Sequence, residues 1–597
     1  MSLNHELSDL FHNLSALMEL KGENVFKVIA FQKVSRILRD LNIDIKRCIE
    51  EGKLCEIEGI GKASQQIIEE YVHSGKSSVF EEIAAAVPAG LVPLLSIEGL
   101  GPKTIHMLWK ERGIISLDLL EKAIDSGELK GLKGIGEKKI ATIKAGINDY
   151  KNRAAPDGSV ARRTGIAEAE AQALPLLERL RKIKGVLRPE IAGSLRRRRE
   201  TIGDVDLIAA VKDMAVGEKV TAAFVDLPGV VQTIVRGPSK ASVKAANGMQ
   251  VDLRIVPEEN FGAALLYFTG SKEHNVKIRG LAQKQKMTLN EWGLYRIEEY
   301  ESAEKQVAMP PKLKPVASAT EAEIYRALGM QYVEPELREG FGEVELAREN
   351  RLPALITRDD IHGDLHAHTT ASDGTASIEE MAAAAKAMGY EYLAITDHSK
   401  ALAMTRGLDE ERLALHVEEI RRVSSKLKGI TLLAGAEVDI LADGRLDYAD
   451  DVLATLDIVI ASPHMSLKQD ADKATERILR AINNRYVNII GHPTGRLING
   501  RPGLPLDMDR IFEAAAKTGT ALEINSGYPR LDLNDTHARG AIDAGCMLSI
   551  NTDAHATTAF QEMIWGIGVA RRAWATEAHV INCLPLEKLS AFLARKR

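Results

Sequence analysis

Between residues 361 and 555 seven short apolar runs each stop at a polar side chain able to bind a metal or line a site: "IHGDLHAH" (361–368), "YLAITDH" (392–398), "TLLAGAEVD" (431–439), "DIVIASPH" (457–464), "VNIIGHP" (487–493), "TALEINSG" (520–527) and "MLSINTDAH" (547–555). Segments of helical period such as "SIEEMAAAAKAMG" lie between them. Strands that alternate with helices form parallel sheets, and functional groups at strand ends gather on the C-terminal face of a barrel. The pattern therefore predicts a distorted α/β barrel of seven strands over residues 360–597.

The side chains expected on that face are His366, His368, Asp373, His398, Glu437, His464, His492, Asp553 and His555. An HxH pair on a strand places two imidazoles on one face. Neutral imidazole with a bridging carboxylate suits Mn, Zn or Fe. Nine donors exceed what one ion needs, so two or three ions are expected, able to activate a water and polarise a phosphoryl oxygen.

A second constraint is "GSLRRRRETIGDVDL" (193–207), four arginines followed by two aspartates one residue apart. "DVDLIAAV" reads as a strand entering a core, so Asp204 and Asp206 share a face at a spacing of roughly 6.5 Å. "GMQVDLRIV" (248–256) supplies Asp252 as a third carboxylate. Three aspartates on neighbouring strands make a hard-oxygen site suited to two Mg²⁺ ions ~3.5–4 Å apart. A triphosphate is then the natural partner of the arginines.

The first 150 residues repeat one theme: "IEGIGKA" (57–63), "IEGLGPK" (97–103) and "LKGIGEK" (132–138). A Gly-apolar-Gly turn brings backbone close to a ligand, and the following helix start offers free N–H groups to an anion. Gly59, Gly61 and Lys62, Gly99, Gly101 and Lys103, and Gly134, Gly136, Lys138 and Lys139 are thus candidates for gripping a phosphate backbone.

A chain of 597 residues is too long for one core and predicts several domains. Four cysteines without a CxxC fit a reducing cytoplasm and exclude a thiolate zinc site, leaving nitrogen and oxygen ligands for any metal. The start lacks a basic segment joined to an apolar stretch, so no secretion signal is expected, and no run is apolar enough to span a membrane. The net charge of −6 hides an asymmetry: residues 151–200 carry 13 basic against 6 acidic side chains. Charge alone favours a solvated face; the alternative is that such an excess neutralises a phosphate backbone.

On these residues the chain resembles known families. The three Gly-rich turns look like helix-hairpin-helix motifs, which hold DNA regardless of sequence. "GS" followed by "GDVD" resembles the nucleotidyltransferase palm, and "LLYFTGSKEHNVKIRGLA" (265–282) is similar to the nucleotide-binding segment of family X DNA polymerases, the match running with gaps to about Glu339. The resemblance implies that Asp204, Asp206 and Asp252 bind Mg²⁺ or Mn²⁺, with Asp252 also activating the primer 3′-hydroxyl. It implies that Ser194, Arg197 and the backbone at Gly203 hold the triphosphate. Tyr267, Phe268 and Gly270 would wall the sugar, and Asn275 and Arg279 would face the minor groove of the nascent pair. The other three arginines of the run are expected on a solvated face or on template phosphates. Residues 360–597 resemble the polymerase-and-histidinol-phosphatase (PHP) domain, whose trinuclear set all nine donors match. In bacterial family X polymerases this domain supplies 3′–5′ exonuclease and related 3′-end or abasic-site cleavage.

Two departures stand out. The eukaryotic repair enzyme of the family forms a Schiff base through a lysine where this chain has Ile67, so 5′-deoxyribose-phosphate lyase activity is expected to be weak or absent. Lys272 stands where that enzyme has an aspartate, and a cation there would strengthen nucleotide binding before template.

The reading is thus a multidomain enzyme: helical helix-hairpin-helix domains at 1–90 and 91–153, an α+β palm at 154–258, a thumb at 259–340, a linker at 341–359 and the barrel at 360–597. Its expected substrates are gapped or nicked duplex DNA and dNTPs, its expected location the bacterial cytoplasm at the nucleoid, and its expected state a monomer. The competing readings are a DNA-binding scaffold with relic sites and a nucleotidyltransferase fused to a small-molecule phosphatase. DNA clamps are of no use to the latter.

Overall fold

The computed structural model describes residues 3–40, 45–50, 52–54, 57, 59–97, 100–129, 132, 135–136, 139–140, 142–144, 146–147, 163–303 and 310–596. Gly99, Gly134 and Lys138 lie outside the described residues. The chain divides into two compact units, Met1–Arg162 and Arg163–Arg597.

The described residues of the first unit are helical with short connections. Leu3–Lys21 and Val25–Asp40 pack lengthwise through Leu7, Phe11, Leu14, Phe31 and Val34. Ser8 and Ser35 cross the seam, each hydroxyl donating to the other's carbonyl at 2.7 and 2.8 Å, which satisfies two polar groups inside an apolar contact. Helices Lys62–Ser74 and Pro102–Arg112 start directly after Gly61 and Gly101. Ile67 lies on the buried face of the former, 3% exposed.

The second unit opens with a five-stranded sheet of β1 (Val186–Ile191), β2 (Asp204–Val211), β3 (Val230–Arg236), β4 (Lys240–Ala245) and β5 (Gln250–Pro257), in the order β1-β2-β5-β4-β3. Only the central pair β2·β5 is parallel, in a register that sets Asp206 opposite Asp252. The thumb follows with helices Phe261–Thr269 and Lys272–Lys284, a hairpin of Met287–Asn290 and Gly293–Arg296, and helix Glu321–Ala327 around a core of Leu266, Ile278, Leu294 and Tyr325. The stretch read as a linker proves to be packed. Helix Glu343–Arg348 buries Glu343, Val344 and Ala347 in the same core, and Glu343 Oε1 lies 2.7 Å from Nδ1 of the buried His274. Its Glu-rich composition misled because one of those glutamates has a partner far away in sequence.

Beyond it stand seven parallel strands in sequence order: β6 (Gly363–Asp364), β7 (Tyr392–Ile395), β8 (Thr431–Asp439), β9 (Ile458–Ser462), β10 (Ile489–Ile490), β11 (Ala521–Asn525) and β12 (Leu548–Asn551). A parallel bridge between Ala367 and Ala554 joins the two edges, so the barrel is nearly closed. Each strand is almost wholly buried, as strands covered on both faces must be. One continuous apolar core runs from the palm residues Val205, Leu207 and Leu253 into the barrel residues Leu393, Val459 and Ile550.

Candidate functional site

In the palm, β2 projects Asp204 and Asp206 to one face and β5 adds Asp252 beside them. Burial and then the charges of Asp204 and Asp252 push Asp206 up to about 7, and Asp204 is raised by desolvation and by Asp252. Like charges gathered in this way favour a cation between them. Gln250 Nε2 donates to both Asp252 oxygens at 3.2 Å and fixes that carboxylate. Gly193 is needed at its position: its φ is +63°, and a Cβ there would stand 2.2 Å from Asp206 Oδ2.

In the barrel all nine expected donors meet at the strand ends. Glu437, at the end of β8, is central: its oxygens lie 2.9 Å from His492 Nε2, 3.3 Å from His464 Nε2, 2.8 Å from His398 Nδ1 and 3.4 Å from His366 Nε2. Asp553 Oδ1 lies 3.0 Å from His368 Nε2, and Asp373 Oδ2 lies 3.5 Å from His398 Nε2 and 3.3 Å from His555 Nε2. Three groups are compact enough to hold an ion: His368, Asp373, His398 and His555; His366, His368 and Asp553; and His398, Glu437 and His464. Asp373 lies in the first of these groups.

The donor set also fits cations by its unmet needs. His366 Nε2, both ring nitrogens of His368, His398 Nδ1, Glu437 Oε2 and Asp553 Oδ1 are buried, and although several lie close to one another none is in a well-aligned hydrogen bond. Each such atom costs on the order of 1–3 kcal/mol unless something satisfies it. Burial holds His368 down at about 4, with its ring neutral and its lone pair free. His492 and Asp553 sit at φ +26° and +54°, a backbone region that ordinary residues occupy only under constraint.

Comparison with known proteins bears on the family and the domains. Residues 264–339 match the DNA polymerase beta thumb, 364–527 the PHP domain, 2–77 a helix-hairpin-helix domain and 91–149 a SAM-like helix-hairpin-helix tandem. The chain is 39% identical over 588 residues to the DNA polymerase/3′-5′ exonuclease PolX of Bacillus subtilis (strain 168), covering 98% of each chain. This chain belongs to the family X DNA polymerases that carry a PHP domain. It is an enzyme, a DNA polymerase joined to a PHP-type metal-binding hydrolase domain. The chain is also 31% identical over 243 residues to a probable phosphatase of Shewanella sediminis, a match covering 39% of this chain and 94% of that one, and 29% identical over 245 residues to one of Thermoanaerobacter sp., covering 39% and 95%.

Within this family X chain the arginine run is not a solvated face. Arg196 pairs with Glu321 at 2.7 Å and donates to Thr269 Oγ1 at 2.7 Å; Arg198 pairs with Glu170; Arg199 lies 3.9 Å from Glu339. Arg197 donates from Nε to Glu339 at 3.1 Å and to the Thr269 carbonyl, beside Gly270. The expectation of solvent or template phosphates for Arg196, Arg198 and Arg199 is thus corrected: their partners are carboxylates of the palm and thumb.

Most of the remaining residues expected at the nucleotide lie on or between the helices Phe261–Thr269 and Lys272–Lys284 of the thumb. Tyr267 and Phe268 pack edge to face at 5.2 Å, and Asn275 Nδ2 donates to the Tyr267 carbonyl at 2.7 Å. Tyr267, Asn275 and Arg279 line one small recess. Lys272 is exposed at the first turn of Lys272–Lys284, while Ser194 and Gly203 flank the aspartates. In the helical unit a Cβ at Gly61, Gly101 or Gly136 would meet nothing within 4 Å, so their backbone faces open space. Lys62 and Lys103 are exposed beside it, whereas Lys139 Nζ donates to Thr104 Oγ1 at 3.0 Å. Three charged residues that support the sites escaped sequence reasoning. Glu523 and Asp439 orient His366 and His464 at 2.8 and 3.1 Å, and Glu339 gathers arginines. The signal for the first two was present: Glu523 lies two residues before Asn525 and Asp439 two after Glu437, on the same strand faces.

Proposed function

We propose that this polymerase fills short gaps in DNA and that its PHP domain trims or unblocks the 3′ end of the same strand, acting as a 3′–5′ exonuclease with abasic-site cleavage. The observation that carries the reading is the presence of both donor sets on one chain: Asp204 and Asp206 on β2 with Asp252 opposite Asp206 on β5, and at the barrel's strand ends eight donors in ion-sized groups with His492 against Glu437. The helix-hairpin-helix regions at 2–77 and 91–149 favour duplex DNA over a small phosphate ester as substrate.

In the palm, Asp204, Asp206 and Asp252 would hold Mg²⁺ or Mn²⁺. Ser194, Arg197 and the backbone at Gly203 would bind the triphosphate. Asp252 would take the proton of the primer 3′-hydroxyl, its carboxylate kept in place by Gln250. Tyr267, Phe268 and Gly270 would wall the sugar, Asn275 and Arg279 would contact the nascent pair, and Lys272 would add a cation beside it. In the barrel the nine donors would hold two or three ions of Mn²⁺, Zn²⁺ or Fe. When bound, such ions supply Lewis-acid stabilisation of the phosphoryl group and bring water to nucleophilic strength near neutral pH. Glu523 and Asp439 hold the imidazoles in the orientation this needs. Gly61, Gly101 and Gly136 would let the DNA backbone approach without contact to bases.

The test follows a labelled primer in a one-nucleotide gap with Mn²⁺, with and without dNTPs. The wild type should both extend and shorten it, Asp204→Ala/Asp206→Ala should lose only extension, and His366→Ala/His368→Ala only shortening. A wild type that binds the gap and does neither overturns the reading.

A further inference from the structure

The PHP domain reaches into the nucleotide side of the palm through one arginine. Arg572 ends helix Met563–Arg572 of the barrel, and its side chain is 4% exposed. One of its nitrogens donates to Glu339 Oε1 at 2.8 Å and to the main-chain carbonyl of Arg197 at 2.9 Å, while Asp535 holds the rest of the guanidinium at 2.7 Å. Glu339 Oε1 is also the atom that Arg197 Nε reaches at 3.1 Å. One carboxylate oxygen is therefore shared by a palm arginine and a PHP arginine, with Arg199 3.9 Å away.

The consequence follows from charge. A buried carboxylate with a single cationic partner holds it tightly, because letting go strands the charge. Glu339 has a second partner in Arg572, so Arg197 can leave it without leaving it unpaired. The Arg572 bond to the Arg197 carbonyl meanwhile keeps that residue's backbone in place as its side chain changes partner. We propose that Arg572 is a positioning residue for nucleotide binding: by sharing Glu339 it lets the triphosphate of an incoming nucleotide displace Glu339 from Arg197. The inference rests on Arg197 being a triphosphate ligand, and it makes the PHP domain part of the polymerase site without any contact between Arg572 and the nucleotide.

The experiment measures single-turnover filling of a one-nucleotide gap by the full chain as a function of dTTP. Arg572→Ala should raise the apparent Kd for dTTP about tenfold with little change in the rate at saturation. Adding Glu339→Gln should suppress that effect and bring Kd back to within about twofold of wild type, since the carboxylate that traps Arg197 is gone. A merely structural role predicts the reverse, because the double variant loses more contacts. Hydrolysis of bis-p-nitrophenyl phosphate by the same samples checks that the barrel is folded. If Arg572→Ala does not fold, Arg572→Gln, which keeps most of the volume, must show the same rise and the same suppression. An unchanged Kd in a folded Arg572 variant, or a double variant no better than the single, overturns the proposal. Arg197→Ala separates the two readings. If it leaves Kd unchanged, the nucleotide role of Arg197 falls and this proposal with it; if it raises Kd while the Arg572 variants do not, only this proposal falls.

Discussion

Glu523 Oε1 lies 2.8 Å from His366 Nδ1, and its other oxygen accepts the main-chain amide of His492 at 2.6 Å. One buried carboxylate thus fixes the tautomer of one donor and the backbone of another. With Nδ1 held by Glu523, His366 turns Nε2 toward Glu437 and Asp553, 3.4 and 3.5 Å away. Glu523→Gln keeps the shape and removes the charge. It should lower metal content and phosphodiester hydrolysis on the order of 10–100-fold while primer extension is unchanged. Metal analysis of the purified protein beside both assays checks this, and full metal occupancy in the variant would refute it.

The palm offers a steric counterpart. Gly193 combines φ +63° with a Cβ position 2.2 Å from Asp206 Oδ2. Gly193→Ala should therefore strain the backbone by about 1–2 kcal/mol and displace Asp206. Extension should fall on the order of 10²-fold, as when a reacting group is misplaced by about 1 Å. Hydrolysis by the barrel should stay at the wild-type level, and a primer-extension rate within a small factor of wild type would show that Asp206 tolerates the shift.

What was legible in the sequence and what was not divides along distance in the chain. The seven strands and eight of the nine barrel donors could be read because those donors sit at or near the ends of apolar runs, a local pattern; Asp373 lies in the loop after the first run. Asp206 and Asp252 could be paired because both lie on strongly apolar strands. The arginine run could not: its partners Glu170, Glu321 and Glu339 are 28, 125 and 142 residues away, and no local signal separates a paired run from a solvated one. The linker at 341–359 failed likewise, since Glu343 is buried by a histidine 69 residues upstream.

Those distant ion pairs predict how the protein responds to acid. Burial pushes Glu321, Glu339 and Asp535 upward, but the guanidiniums of Arg338 and Arg196, of Arg572 and Arg197, and of Arg572 and Arg199 respectively outweigh it and hold each at about 2. In the unfolded chain the same groups take up protons in the ordinary carboxylate range. Their stabilisation is thus complete above that range and lost as pH falls toward about 2. Thermal melting temperatures should drop steeply between about pH 5 and pH 3, and Glu339→Gln should start lower and fall less steeply. Parallel curves for the two proteins would show that Glu339 carries none of this dependence.

Ile67 makes the last prediction a negative one with a physical reason. It lies on the inward face of Lys62–Ser74, 3% exposed, packed in the core of the helical unit. A hydrocarbon side chain has no nucleophile, and its burial leaves no room for a neighbouring amine at that position. Incubating the full chain with a 5′-deoxyribose-phosphate end and borohydride should therefore give little covalent adduct. Ile67→Lys should not restore trapping without loss of stability, because a buried ammonium in that core costs several kcal/mol. Efficient trapping by the wild type, followed by mass mapping of the modified lysine, would place the nucleophile elsewhere in the chain.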